Sequence, residues 1–217
     1  MNAHQAAGAS LEVRVRVRGL LAGIIAQADV EICANAQGVT RVILGDRLPT
    51  VPKAPTILID APDVKVPSGC FTAGSTNARE GLSAQPDEAR AWHHARQAAE
   101  EIADYLRGER QHFTVPLSPA STSPFTASVH EAIATIPYGQ RRTYADLAAA
   151  LGNAGATRAV GTACGKNPLP ILVPCHRVVR ADGTLGRYTG GDGIKVALLA
   201  LEGGDHGGQS AERTPRG

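Results

Sequence analysis

The chain has 217 residues, which is enough for one large domain or two small ones, each with its own hydrophobic core. Its 43% hydrophobic and 19% charged residues are ordinary for a globular protein, and its net charge of +2 is too small to indicate nucleic-acid binding by itself. No apolar run reaches the roughly 18 residues of a membrane span, and residues 1–10 lack the pattern of a secretory signal.

The N-terminal part shows the patterns of several strands and one long helix. Residues 1–10 are predicted to be a disordered leader. Valine and arginine alternate over 13–18, which is typical of a strand with one solvent-facing side, and 39–44 and 56–59 are further strand candidates. The stretch 48–85 is rich in Pro, Gly and Ser and is interpreted mainly as loop. Two acidic residues follow Pro86 and favour a helix from there to Leu106, ended by Gly108.

The C-terminal part follows a linker rich in Pro, Ser and Thr at 116–124. Helices are predicted over 124–135, 143–151, 157–164 and 190–201. Thr143 is the expected N-cap of the second helix, with Asp146 completing a capping box. The second and third helices have the spacing of a helix-turn-helix, although such pairs are common in proteins that do not bind DNA. Residues 171–173 are predicted to form a buried strand, and 206–217 a disordered tail.

Cys175 and His176 come just after the predicted strand at 171–173, with only Pro174 between. The thiolate is the reactive form of cysteine, and a nearby base can remove the thiol proton, either directly or through a water molecule. An imidazole in this role usually needs a carboxylate to fix its tautomer, and Glu202 is a candidate. Taken alone, Cys175 is explained equally well as a reactive thiol and as a small buried hydrophobic residue. We interpret the other three cysteines as buried hydrophobic residues.

The cysteines and histidines give no metal pattern. No CxxC spacing occurs, and Cys33, Cys70, His93 and His94 lack convincing ligand spacing, so we predict no metal. Unpaired cysteines fit a reducing compartment, which indicates a cytoplasmic protein of bacterial type, or a nuclear one in a eukaryote. The 18 arginines against 4 lysines favour phosphate and base contacts, because a planar guanidinium binds two acceptors. A coding bias explains this excess equally well.

Several short motifs occur in a fixed order around Cys175. They are Ile136-Pro137-Tyr138-Gly139, Tyr144, Arg158-Ala159-Val160-Gly161, Asn167-Pro168, Pro174-Cys175-His176-Arg177-Val178, Tyr188-Thr189-Gly190-Gly191 and Lys195 to Glu202-Gly203. With them, residues 125–203 closely resemble the methylated-DNA–protein-cysteine methyltransferases, also called O6-alkylguanine-DNA alkyltransferases. The resemblance implies an α+β fold. A small RNase H-like domain of sheet plus helix would occupy 11–115, and a helical, winged-helix-like DNA-binding domain with a helix-turn-helix would occupy 125–205.

The resemblance also implies roles in catalysis. Cys175 matches the alkyl acceptor, and His176 matches the general base that acts through a water molecule. Glu202 matches the carboxylate that orients the imidazole. Tyr144 matches the residue that supports the flipped base and helps to protonate the guanine as it leaves.

Other residues match positions that contact DNA or the extruded base. Arg158 matches the side chain that takes the space of the flipped nucleotide, and Asn167 matches a brace between the recognition helix and the nucleophile. The residues that match the base pocket are Val178, through its carbonyl, Tyr188, Thr189, Gly190 and Lys195. Arg141 and Arg142 make the segment before the helix-turn-helix more basic than expected, which predicts phosphate contacts or simply a solvated face.

The implied reaction is direct reversal of damage in double-stranded DNA carrying O6-alkylguanine, and to a smaller extent O4-alkylthymine. The nucleotide must be turned out of the stack, which costs a few kcal/mol. The thiolate then displaces guanine from the sp3 carbon. The resulting thioether cannot be hydrolysed at this site, so each chain reacts once. No cofactor is expected, and the chain is expected to act as a monomer, with cooperative binding to DNA left open.

This sequence departs from the family pattern at a few positions. His130 stands where the family usually has Trp, and we interpret it as a packing or surface residue. Thr189 stands where Ser or Ala is common, which predicts a narrower pocket. An apparent insertion lies between Asp46 and Gln85. Two other functions remain as alternatives, namely a lesion-binding protein without transfer activity and a Cys-His hydrolase on an unrelated fold.

Overall fold

The computed structural model describes residues 12–18, 29–45, 56–60, 86–120 and 122–203. The chain divides into two compact units. The first comprises residues up to Ser121 together with Pro168–Leu172, and the second comprises Thr122–Asn167 and the residues from Val173 onward. The predicted leader, the predicted tail and most of the predicted loop at 48–85 lie outside the described residues. Among the described helices, none combines the length and apolar character needed to cross a membrane.

The first unit contains a four-stranded sheet and one helix. The strands are β1 (Val13–Arg18), β2 (Val30–Asn35), β3 (Gly38–Leu44) and β4 (Thr56–Asp60), in the order β3-β2-β1-β4. β1, β2 and β3 are antiparallel neighbours, whereas β4 runs parallel to β1. The strands predicted at 13–18, 39–44 and 56–59 are confirmed. β2 was not predicted, because five of its six residues are buried and it lacks the alternation that identifies a half-exposed strand.

Helix α1 (Pro86–Leu106) has the predicted bounds and packs against β1, β2 and β3. Its buried face is built mostly of alanine, which lets the helix approach the sheet closely. The start of the predicted linker also lies on this unit, since Val39 N donates to Pro116 O at 2.8 Å and Ser118 N donates to Val39 O at 2.8 Å. The unit thus extends further along the chain than the predicted boundary at 115.

The second unit is mainly helical. Its helices are α2 (Pro124–Ala134), α3 (Tyr144–Ala150), α4 (Thr157–Gly165) and α5 (Asp192–Leu201), and a two-stranded parallel pair joins β5 (Arg142–Thr143) to β6 (Val178–Val179). The capping box at the start of α3 is confirmed, since Thr143 Oγ1 accepts from Asp146 N at 3.0 Å and Asp146 Oδ2 accepts from Thr143 N at 2.8 Å. α3 and α4 are the predicted helix pair, and the α+β class is confirmed.

Two local predictions were wrong. Residues 171–173 are buried but form no strand, because Pro170 and Pro174 flank them without backbone N–H donors and Ile171 has a φ of 75°. Helix α5 begins at Asp192 rather than at 190, because Gly191 has a φ of 99° and lies outside helical conformation.

Candidate active site

Cys175 begins a short 3-10 turn (Cys175–Arg177) and is buried. Its Sγ accepts a hydrogen bond from Asn167 Nδ2 at 3.1 Å, and the same amide nitrogen donates to Val173 O at 2.8 Å. Asn167 is fixed in turn by its backbone N, which donates to Cys164 O at the end of α4 at 3.2 Å. The thiol therefore has a defined position that is tied to the end of α4.

Burial raises the pKa of the Cys175 thiol above its usual value. The hydrogen bond from Asn167 and the charge of Lys195 act in the opposite direction but do not cancel this effect. A buried thiol is therefore the resting form, and forming the thiolate requires a base.

His176 lies directly after the thiol and is fully buried. Its Nε2 is 3.0 Å from Glu202 Oε1. A carboxylate accepts hydrogen bonds, so Nε2 carries the proton, and Nδ1 on the other side of the ring is the basic nitrogen. Burial is the largest influence on the pKa of His176 and lowers it, and the positive charges of Arg177 and Lys195 act in the same direction. The hydrogen bond and the negative charge of Glu202 oppose them and raise the pKa. Because the net direction is downward, the imidazole is neutral near neutral pH and can accept a proton.

Glu202 lies at the C-terminal end of α5 and is buried among donors. Besides the bond to His176, the Glu202 carboxylate accepts three hydrogen bonds from Arg177. Arg177 Nη2 donates to Oε1 at 2.7 Å, and Arg177 Nε donates to both Oε1 and Oε2 at 3.1 Å. Gly139 N donates to Oε2 at 3.3 Å. Arg177 Nη1 also donates to Ile136 O at 2.6 Å. The carboxylate is thus held in one orientation by a guanidinium that is itself anchored to the backbone.

The two aromatic residues of the predicted pocket, Tyr188 and Tyr144, contact different parts of the second unit. Tyr188 is buried and packs at right angles to the His176 ring, with 6.3 Å between ring centroids and 86° between planes. The Tyr144 ring lies against Gly161 and Gly186, where a Cβ at Gly186 would be 2.4 Å from Tyr144 Oη. Burial raises the pKa of Tyr144, followed by the charges of Cys164 and Cys175. The Tyr144 hydroxyl therefore keeps its proton at neutral pH.

Lys195 is fully buried, and its Nζ donates to Val178 O at 2.6 Å. Burial lowers the pKa of this amine, while the negative charges of the Cys175 and Cys164 thiolates would raise it. The Val178 carbonyl has a second lone pair, so it can accept another donor while it is bonded to Lys195.

The remaining predicted residues lie on the surface of the second unit. Arg158 is exposed in the first turn of α4, Arg142 and Thr189 are exposed, and Arg141 and Gly190 are partly buried. The structure therefore separates the buried side chains of Cys175, His176 and Glu202 from an outer group of residues that are exposed or partly buried.

The second unit of this chain is similar to known proteins. Residues 124–204 match the family model described as the DNA-binding domain of 6-O-methylguanine DNA methyltransferase. The methylated-DNA–protein-cysteine methyltransferase of Methanosarcina acetivorans is 47% identical over 108 residues, which cover 50% of this chain and 69% of that protein. The chain belongs to this methyltransferase family. The inducible methyltransferase of Bacillus subtilis is 48% identical over 104 residues, which cover 48% of this chain and 58% of that protein.

Solved methyltransferase structures extend the similarity to most of the chain. The O6-methylguanine methyltransferase of Mycobacterium tuberculosis aligns with a TM-score of 0.64 and 25% identity, covering 92% of this chain and 97% of that one. The protein named OGT from the same organism, solved in complex with DNA, aligns with a TM-score of 0.59 and 29% identity, covering 81% of this chain and 87% of that one.

Sequence reasoning left three contacts of this methyltransferase site unassigned. Arg177 and Gly139 both bond to Glu202, and Gly186 makes room for Tyr144. Arg177 and Gly139 both belong to the motifs on which the family resemblance rests, and this is the sequence signal that could have identified them. Among the described residues, no group of three or more His, Cys, Asp or Glu could hold a metal ion, and Cys70 lies outside them.

Proposed function

We propose that this methyltransferase repairs DNA by direct reversal, taking the alkyl group from O6-alkylguanine, and less readily from O4-alkylthymine, onto Cys175. One observation carries the proposal: the buried thiol that Asn167 holds is followed at once by an imidazole bonded to Glu202. A nucleophile, a base and an orienting carboxylate are therefore assembled within a single turn and the adjoining end of α5.

The reaction follows from these positions. Neutral His176 accepts the thiol proton at Nδ1 through a water molecule, and the Glu202 carboxylate stabilises the imidazolium that forms. Lys195 lies close enough for its charge to favour the thiolate. Sγ attacks the alkyl carbon in line, the bond from carbon to O6 breaks, and the electron pair stays on the guanine. Tyr144 donates its proton to the leaving base, and the proton taken up by His176 then returns to the Tyr144 phenolate through solvent, so that no net proton is gained or lost.

The products are guanine restored in DNA and a thioether on Cys175. A thioether has no leaving group that water could displace at this site, so each chain transfers one alkyl group and then stops. The proposal requires neither a metal nor an organic cofactor, since nucleophile, base and acid all come from side chains.

Access to the lesion requires the nucleotide to leave the duplex. We assign this step to the helix pair α3 and α4, with Arg158 taking the vacated space and Arg141 and Arg142 contacting phosphates. Val178 O, Tyr188, Thr189 and Gly190 then form the pocket for the extruded base. One copy of the chain holds both the acceptor cysteine and the helix pair, so the protein acts as a monomer. It acts in the compartment that contains DNA, which is the cytoplasm in a bacterium.

The proposal is tested by mixing the protein with duplex DNA that contains O6-methylguanine and mapping the product by mass spectrometry. We expect one methylene mass on the peptide that contains Cys175, loss of the lesion, and no second turnover. Cys175→Ser should abolish both changes, and Cys33→Ser, at a buried thiol in the other unit, should leave them intact. Tight lesion binding without transfer, or release of product with several turnovers, would contradict the proposal.

Arg158→Ala should slow repair of a lesion in duplex DNA by about tenfold. The side chain is exposed on α4, whereas Cys175, His176 and Glu202 are buried, so transfer from free O6-benzylguanine should change little. Single-turnover rates on both substrates check this expectation. Equal losses on the two substrates would assign Arg158 to the chemical step instead of to base flipping.

Gly186→Ala should slow transfer from free O6-benzylguanine by about ten- to a hundredfold. The new Cβ would lie 2.4 Å from Tyr144 Oη, and the hydroxyl must move because the side-chain end yields more easily than backbone. The free energy of unfolding should change by less than about 1 kcal/mol. Gly155→Ala is the matched control, since its Cβ would meet its nearest atom at an ordinary 3.6 Å. An unchanged rate in Gly186→Ala would show that the position of Tyr144 is unimportant for transfer.

A further inference from the structure

His130 makes a specific contact that a packing residue would not need. It lies in α2 between Val129, which is buried, and Glu131, which is exposed, and it is itself partly buried. Its Nε2 is 2.9 Å from the backbone oxygen of Ala163, which belongs to the last turn of α4. α2 and α4 pack against each other, so this bond joins two neighbouring helices.

The carbonyl that His130 reaches is part of the turn that places Asn167. Ala163 O also accepts from Lys166 N at 3.0 Å, and Cys164 O accepts from Asn167 N at 3.2 Å. The last carbonyls of a helix have no partner within the helix, so bonds from outside decide where its end lies. An imidazole N–H that donates to Ala163 O therefore fixes the end of α4 from the side of α2.

Asn167 links the end of α4 to the sulfur of Cys175. Its side-chain amide donates both to Val173 O and to Cys175 Sγ, so a shift of the turn alters the distance to the sulfur directly. Reactions within a preorganised site lose rate steeply when a group is misplaced by about 1 Å.

We propose that His130 is a positioning residue for alkyl transfer, which holds the end of α4, and with it Asn167, where the amide can bond the Cys175 thiol. This inference rests on the proposed function, because it takes Cys175 as the acceptor. His130 does not touch the reacting atoms, and it acts through Ala163 and Asn167.

The test compares two variants of similar size and polarity. His130→Gln keeps an amide nitrogen at about the reach of the imidazole Nε2, whereas His130→Asn is one methylene shorter and cannot reach Ala163 O. Transfer from free O6-benzylguanine should be about three- to tenfold slower in His130→Asn and close to the wild-type rate in His130→Gln. Affinity for undamaged duplex DNA should be the same in all three proteins.

Thr135→Val is the control for loss of a side-chain bond at the C-terminal end of α2, since Thr135 caps that helix and its Oγ1 donates to Ala132 O at 2.8 Å. Its transfer rate should equal that of the wild type. A wild-type rate in His130→Asn, or equal slowing in the Asn and Gln variants, would overturn the inference while leaving the proposed function standing. Absence of transfer in the wild type would overturn both.

A measurement on the wild-type protein keeps the inference testable if the Asn variant does not fold. Nitrogen chemical shifts of the His130 ring distinguish the two neutral tautomers, and the proton must be on Nε2 for it to donate to a carbonyl. A proton on Nδ1 in the neutral ring would overturn the inference.

Discussion

Glu202→Gln will slow alkyl transfer to Cys175 by about a hundredfold or more. In the proposed mechanism, the carboxylate that contacts His176 Nε2 fixes the proton on that nitrogen and stabilises the imidazolium that forms when the thiol is deprotonated. An amide has no negative charge for this purpose, and it can present its NH2 group to the ring and favour the wrong tautomer. Affinity for duplex DNA that contains the lesion should be retained, because Glu202 is buried.

This expectation is checked by single-turnover transfer on free O6-benzylguanine together with lesion binding by a Cys175→Ser, Glu202→Gln double variant, which cannot react. Glu131→Gln is the matched control, since Glu131 is exposed on α2 of the same unit. Transfer at the wild-type rate in Glu202→Gln would remove the carboxylate from the mechanism. A variant that has lost its fold is recognised by its unfolding transition, and Glu202→Asp then keeps the charge for a second comparison.

Arg177→Met will lower the free energy of unfolding by about 3–5 kcal/mol, because it leaves the Glu202 carboxylate buried without its cation. Arg177 makes three of the contacts to that carboxylate and a fourth to Ile136 O, so its loss also removes hydrogen bonds that a methionine cannot replace. Arg187→Met, at an exposed arginine of the same unit, should be nearly neutral. Urea unfolding of the two variants measures the difference.

The same change will move the acidic limb of the pH–rate profile to higher pH. Burial is the main cause of the low pKa of His176, and the nearby charge of Arg177 lowers it further. Removing that charge raises the pKa, so a larger fraction of His176 is protonated at mildly acidic pH and cannot act as a base. Transfer in the wild type should therefore fall at a lower pH than transfer in Arg177→Met. A limb that stays in place, or that moves to lower pH, would contradict the role of His176 as the base.

Arg177→Lys separates charge from geometry in this experiment. Lysine keeps the positive charge near His176 but lacks the planar fork that bonds both carboxylate oxygens. Its pH–rate profile should stay closer to that of the wild type than the profile of Arg177→Met, while its stability falls between the two.

Local features of this protein could be predicted from the sequence because they depend on neighbouring residues. The bounds of α1 and the capping box of α3 follow from interactions within one turn, and both are confirmed. The order of short motifs around Cys175 was enough to indicate the family. The strand predicted at 171–173 was wrong, because a short apolar run is a weak signal for a buried strand. The prolines on either side of this segment lack the N–H groups that a strand needs for its hydrogen bonds to a neighbouring strand.

The geometry of the site depends on contacts between residues far apart in the chain, and local sequence patterns do not indicate which residues make those contacts. Glu202 was a candidate carboxylate, yet its bonds to Gly139 and Arg177 join segments that only the folded unit brings together. The same holds for the approach of Gly186 to Tyr144 and for the bond from His130 to Ala163. The sequence by itself predicted Cys175 as the acceptor and His176 as its base, and it determined the helix pair α3 and α4. The tertiary structure decided which charges surround that base, because burial and distance set its pKa and neither can be derived from spacing along the chain.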